Sequence, residues 1–199
     1  MIIGLCGYSN SGKSTVAKFL VKEKGFVELS FAKKLKDTVS HLFGYERELL
    51  EGTTLESRIW RETKDIKWSK SFNREITPRI LLQEIGTKIR EFQDDFWIRI
   101  LEDSINLLRS QNKNVNIVIT DARFLNEIAF IKSFSGIMYW VIRDIPEYHN
   151  EIITAIKNNG IPNIKIHRSE WEFLMEPMST VIRNSGDLKD LFSTLNLIF

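Results

Sequence analysis

The sequence predicts an α/β fold, a doubly wound parallel sheet with helices on both faces. Three observations carry the prediction. Short apolar runs alternate with stretches of helical periodicity along most of the chain. The first run, Ile2 to Cys6, leads into the glycine-rich turn Gly7-Tyr8-Ser9-Asn10-Ser11-Gly12-Lys13-Ser14, which opens directly on a helical pattern. A later run, Ile117-Val118-Ile119-Thr120-Asp121, ends in a carboxylate, placing Asp121 at the carboxyl edge where open α/β sheets bind ligands.

The elements follow in order. Ile2 to Cys6 reads as a buried strand, and the helix after the turn runs to about Lys24, where Gly25 closes it. Phe26 to Phe31 is a second strand, and Lys33 to Phe43 a helix ending at Gly44. Tyr45 to Asn73 is charged, carries Trp60 and Trp68, and reads as helix and loop. Thr77-Pro78 announces a helix, Thr as cap and Pro at the first helical position. Asp94-Asp95 open another, running to about Gln111. Val115 to Thr120, Ile137 to Ile142 and Thr180 to Arg183 are strands; Leu125 to Ser133 and Leu188 to Leu197 are helices. Between Arg143 and Glu176 the chain is polar, holds Asn158-Asn159-Gly160 and two prolines, and reads as an irregular excursion. There is no internal repeat.

Composition bounds the function. A chain of 199 residues, 43% hydrophobic and 27% charged, buries a full core and is read as one domain. A net charge of +2 implies no bulk attraction to nucleic acid or membrane. The single cysteine, Cys6, lies in an apolar run and reads as a small buried strand residue in a reducing, cytoplasmic setting. Neither a signal peptide nor a bilayer-length apolar run is visible, so a soluble protein is expected.

The turn matches G-x4-G-K-[ST], the P-loop. Glycines allow backbone angles that aim successive N–H groups inward, and the helix that starts there adds its unpaired N–H groups and positive end. Gly7, Asn10, Ser11, Gly12 and Thr15 thus belong to a triphosphate cradle, Lys13 reaches the β- and γ-phosphates, and Ser14 supplies a hydroxyl to Mg²⁺. Asp121 is the acidic partner for the metal, and Arg123 beside it suits the charge of a transferring phosphoryl group. The guanine-reading and switch motifs of GTPases do not stand where that class needs them, and motor or transporter ATPases need longer chains. ATP with Mg²⁺ and a small phosphoryl acceptor is the expected chemistry.

The helix from Thr77 adds a second signal. Leu81, Leu82, Ile85, Ile89 and Phe92 form an apolar stripe facing a core. Arg79, Gln83, Gly86 and Arg90 lie on another stripe, an amide and a glycine flanked by cations, as a phosphate and base close to the helix would require. Trp97 falls in register with Leu101, Ile105 and Leu108, a core spacing. For Trp60 and Trp68 a base pocket and an interface stay equally open.

Several segments together resemble the deoxynucleoside monophosphate kinases of bacteriophages and related viruses. They are Phe31-Ala32-Lys33-Lys34-Leu35-Lys36, Thr77-Pro78-Arg79-Ile80-Leu81-Leu82-Gln83 with Gly86-Thr87, and Asp95-Phe96-Trp97-Ile98-Arg99. Further along come Asp121-Ala122-Arg123-Phe124 with Asn126-Glu127, His167-Arg168-Ser169-Glu170, and Ile182-Arg183-Asn184-Ser185-Gly186. The resemblance implies a P-loop kinase domain over 1–199, with a helical monophosphate-binding region over about 31–100 and a short lid over about 143–176. It implies transfer of the ATP γ-phosphate to a deoxynucleoside 5′-monophosphate, with Lys13, Asp121 and Arg123 in catalysis. Lys36, Arg79, Gln83, Trp97 and Arg123 become substrate contacts, Arg143 and Arg168 lid arginines, and Asn184 a nucleotide contact. His167 is better read as part of the lid's local structure. A homodimer is compatible with the class, and a viral protein of this kind would act in the host cytoplasm. Other phosphorylated acceptors, such as dephospho-coenzyme A or phosphomevalonate, and a nucleotide-binding regulatory module without turnover remain alternatives.

Overall fold

The computed structural model describes all residues except 159, 164, 178 and 179. Five strands form one parallel sheet: β1 (Ile2–Cys6), β2 (Val27–Leu29), β3 (Ile117–Ile119), β4 (Ile137–Ile142) and β5 (Val181–Arg183), in spatial order β2-β3-β1-β4-β5. β1 lies at the centre, pairing Ile3 with Val118 on one side and with Ile137 on the other. Every residue of β1 and β3 is buried, as strands covered on both faces must be. The chain winds first to one side of β1 and then to the other. The order therefore reverses beside β1, and the crevice at that switch point lies at its carboxyl end, where the glycine-rich turn begins.

The helices are α1 (Lys13–Lys24), α2 (Lys33–Phe43), α3 (Leu55–Glu62), α4 (Ile66–Phe72), α5 (Pro78–Phe92), α6 (Phe96–Gln111), α7 (Leu125–Ser133), α8 (His149–Lys157) and α9 (Leu188–Ile198). The chain divides into two compact units, Met1–Ser30 with Ser104–Phe199, and Phe31–Asp103. In the first, the sheet and its helices enclose Leu5, Val16, Leu20, Val118, Val141 and Leu195. Phe199 closes one end of that core against the Tyr139 ring, 5.1 Å between centroids. The second unit is helical and packs around Val39, Leu50, Ile76, Leu81 and Trp97.

Local signals set many of the boundaries. Thr77 caps α5 by accepting the Ile80 N–H, with Pro78 in the first turn. Gly25 and Gly44 end α1 and α2 in the left-handed conformation. One reading is met in detail and two need correction. The stretch Tyr45 to Asn73 contains two short capped helices, α3 behind the Thr54–Ser57 capping box and α4 behind Asp65. Its eight- and seven-residue helices are too short for periodicity to register. The excursion after Arg143 contains α8, whose Ile152 is fully buried, and two 3-10 turns that bury Trp171 and Phe173. The Asn158-Asn159-Gly160 signal includes residue 159, which lies outside the described residues. Phe92, placed by period on the core stripe of α5, is 85% exposed, because that face has run past the core by the last turn.

Candidate functional site

The loop from Gly7 to Ser14 has the backbone its residues foreshadow. Gly7, Asn10 and Gly12 hold φ of 140°, 63° and 101°, angles that side chains other than Asn rarely tolerate. Crowding adds to the requirement. A Cβ on Gly7 would lie 2.4 Å from the Val141 carbonyl oxygen, and one on Gly12 would lie 2.3 Å from Asn184 Nδ2. That same Nδ2 donates to the Ser11 carbonyl at 3.0 Å, so Asn184, just past β5, buttresses the loop from behind. Gly12 caps α1 without a side-chain partner, leaving the first N–H groups of the helix directed at the loop as an anion site.

Lys13 turns back over this loop, its Nζ donating to the carbonyls of Gly7 and Tyr8 at 2.7 Å each. Burial lowers its pKa from the usual lysine range to about 8; the Arg123 cation adds to the lowering, and Glu170, Cys6 and Asp121 oppose it. Lys13, Arg123, Glu170 and Asp121 therefore share one electrostatic neighbourhood. Cys6, directly before the loop, is fully buried, and burial pushes its thiol up to about 12, so it packs rather than reacts. Asp121 follows β3, the neighbour of β1, and Ser14 is exposed in the first turn of α1. Asp121 Oδ2 accepts the Ser30 hydroxyl at 2.7 Å, a contact that orients the carboxylate and that no spacing announced. No group of three His, Cys, Asp or Glu able to hold a metal stands among the described residues. One carboxylate and one hydroxyl beside a phosphate cradle nevertheless fit Mg²⁺, which takes few protein ligands and completes its shell with phosphate oxygens and water.

Arg123 is fixed at both ends. Its backbone N–H and that of Phe124 donate to Glu127 Oε2 at 2.9 and 3.2 Å, and the Leu125 N–H donates to Glu172 Oε1 at 3.1 Å. Two buried carboxylates thus satisfy the opening N–H groups of α7. The Arg123 guanidinium reaches Glu170 Oε1 at 2.8 Å and Ser169 O and Oγ at 3.3 and 3.4 Å, all through Nη1. Ser169 N–H and Oγ in turn meet His167 Nδ1 at 3.2 and 2.8 Å, which gives His167 the local structural part its sequence context suggests. A second contact invisible in the sequence ties the loop to α8: the Tyr8 hydroxyl and His149 Nδ1 share a 2.7 Å hydrogen bond. Tyr8 also packs edge-on against Phe173 and Tyr148. Burial holds His149 below the ordinary histidine value, so a neutral ring meets that hydroxyl.

In the helical unit, Lys36 pairs with Glu51 at 2.5 Å and Arg79 with Glu62 at 2.7 Å. Gln83 is half-buried on α5, one turn beyond Arg79. Trp97 requires a correction as a substrate contact. Only 3% of it is exposed, and its indole N–H donates to the Gly86 carbonyl at 3.3 Å, so its ring is core. The same packing bears on Gly86: a Cβ there would stand 3.0 Å from a Leu35 methyl, so the glycine lets α5 pack closely on α2. Trp60 and Trp68 lean on this core as well, edge to face with Tyr45 and Phe43. Trp60 also lines an open cavity of about 470 Å³ with Tyr45, Asp65 and Pro78. Arg143 is exposed just past β4, and Arg168 pairs with the buried carboxylate of Glu172. No helix among the described residues is long and apolar enough to cross a membrane.

No protein-family model matches the chain. It is 34% identical, over 98% of its length and 94% of the relative's, to a candidate deoxynucleotide monophosphate kinase of Acanthamoeba polyphaga mimivirus. The chain belongs to the deoxynucleoside monophosphate kinase family of P-loop kinases. A dephospho-CoA kinase of Fusobacterium nucleatum is 30% identical over 96% of this chain and 93% of its own. Among solved structures, TT1252 from Thermus thermophilus aligns over 100% of this chain and 95% of its own, at TM-score 0.48 and 19% identity. A dephospho-CoA kinase from Campylobacter jejuni aligns over 99% and 94%, at TM-score 0.47 and 12% identity. The protein is thus a P-loop kinase, with the five-stranded parallel sheet and phosphate loop on which the family's chemistry rests.

Proposed function

We propose that this kinase moves the γ-phosphoryl group of ATP to the 5′-phosphate of a deoxynucleoside monophosphate. The bond between the γ-phosphorus and the β,γ-bridging oxygen breaks, its electrons leave with ADP, and an acceptor phosphate oxygen bonds to phosphorus. The observation that carries the acceptor class is the 34% identity to the mimivirus protein over nearly the whole chain.

In this reading the N–H groups of Gly7 to Thr15 wrap the β- and γ-phosphates, and Lys13 exchanges its two carbonyl partners for phosphate oxygens. Asn184 keeps the loop in shape from behind. Arg123 offsets the charge that spreads over the transferring group, where a preorganised cation acts most strongly. Ser14 and Asp121 would hold Mg²⁺, which would supply positive charge against the phosphates. Arg79, Gln83 and Lys36 bind the acceptor, which requires Arg79 and Lys36 to exchange their present carboxylates for its phosphate. Arg143 and Arg168 complete the charge balance from the segment over 143–176, which acts as a lid. Positioning and charge neutralisation suffice, since phosphoryl transfer of this kind asks little of a general base.

The dephospho-CoA kinase relative supports a second acceptor, dephospho-coenzyme A. A coupled assay for ADP release separates the readings. With the four common deoxynucleoside monophosphates and dephospho-coenzyme A as acceptors, turnover on at least one deoxynucleotide and none on dephospho-coenzyme A is expected. The reverse pattern replaces the acceptor proposed here, and ATP binding without turnover on any acceptor supports a regulatory module.

A further inference from the structure

Glu170 is a carboxylate with a side chain only 10% exposed, and no step described above uses it. A buried charge is costly unless a partner and hydrogen bonds offset it. Its partner is Arg123, at 2.8 Å through Nη1, and Ser169 adds two acceptors to the same amino group. Among the described residues every hydrogen bond of this guanidinium runs through Nη1, so Nε and Nη2 remain for another anion. A guanidinium is a planar fork, and pinning one amino group fixes the direction of the others. The arrangement is anchored on both sides. Glu127 holds the Arg123 backbone, and Glu172 ties the turn that carries Ser169 and Glu170 to the start of α7.

We propose that Glu170 is a positioning residue for phosphoryl transfer, holding one edge of Arg123 so that its free edge meets the transferring phosphate. This inference rests on the phosphotransfer reading above and extends it by one residue. Two consequences follow. A pinned arginine pays less orientational cost as charge develops, so Glu170 acts mainly on kcat. The carboxylate also offsets the repulsion between Arg123 and Lys13, the groups around Lys13 being Arg123 on one side of the balance and Glu170, Cys6 and Asp121 on the other.

The test uses the full chain and reads kcat and KM with the deoxynucleotide that the wild type turns over fastest. Glu170→Gln should lower kcat about tenfold, the loss of one charge-assisted bond, with KM for ATP little changed. In an Arg123→Ala background the same change should cost nothing further, because the two act as one unit. Glu170→Asp, which keeps the charge and shortens the reach, should also lose kcat. Wild-type kcat in Glu170→Gln, a loss that persists undiminished without Arg123, or a change confined to KM for ATP overturns the proposal. Should Glu170→Gln fail to fold, as judged by circular dichroism, undiminished kcat in Glu170→Asp overturns it instead. If the wild type turns over no deoxynucleotide, the acceptor reading fails separately, and the same comparison with the acceptor it does turn over decides on Glu170.

Discussion

Lys13 shows how strongly a few ångströms shape chemistry. Its ammonium meets two carbonyls, yet burial, with the Arg123 cation adding to it, lowers its pKa to about 8. The charged form is the one that binds phosphate. As pH rises through about 8 the free protein therefore loses that charge, and kcat/KM for ATP should decline above this point. Bound phosphates favour the ammonium, so the decline in kcat should lie at higher pH. A kcat/KM profile flat to pH 10 would contradict the assignment. Lys13→Ala should lower kcat at least ~100-fold, since the cation acts on charge that develops in the transition state. Single-turnover kinetics on the folded variant measure this. Arg79 poses a different question, because its present partner is Glu62. If it clamps the acceptor, Arg79→Ala should raise KM for the monophosphate about tenfold or more and leave KM for ATP nearly unchanged. Equal weakening toward both substrates would make it a structural ion pair.

At the scale of elements, capping residues and glycines proved readable because their signals are local. Thr77-Pro78 marks the start of α5 in the sequence, and the Thr77 cap is present. The segment over 143–176 was less legible. Its burial comes from Ile152 on a nine-residue helix and from the short irregular run Ser169 to Phe173, and neither is long enough to show a period. This changes what a lid here can do. The turn over Arg168 to Met175 is tied to α7 through Glu172 and packs Phe173 beside Tyr8 and Trp140. Hydrogen-exchange mass spectrometry should find Trp171 to Met175 protected in the free protein, since buried and bonded backbone opens rarely. Protection gained on binding a bisubstrate analogue should fall instead between Arg143 and the end of α8. Fast exchange over Trp171 to Met175 without ligand would restore the wholly mobile lid that the sequence suggests.

For the molecule as a whole, nucleotide binding should be visible as stability. Only the folded loop can wrap a triphosphate, so saturating ATP with Mg²⁺ stabilises by mass action, about 2.7 kcal/mol at a hundredfold excess over Kd. For a chain of this length that is a Tm rise of roughly 5–10 °C. Differential scanning calorimetry should show the rise in the wild type and most of it lost in Lys13→Ala. An equal rise in both would place the binding elsewhere.

What the amino-acid sequence determined unaided was the alternation of strands and helices, the phosphate loop, and the position of Asp121 at a strand end. Each depends on neighbours in the chain: a period of two or 3.6, a glycine where φ must be positive, a carboxylate directly after an apolar run. The tertiary structure decided what depends on distant residues. Asn184 reaches Ser11 across 173 positions, Tyr8 finds His149 across 141, and Arg123 finds Glu170 across 47. It also set Gly86 of the polar stripe against Leu35 of the neighbouring helix, and held Trp97 in the core, which its spacing indicated and the resemblance did not. Spacing along one helix says which residues share a face. Only the packing of the second helix says whether that face meets a ligand or another side chain.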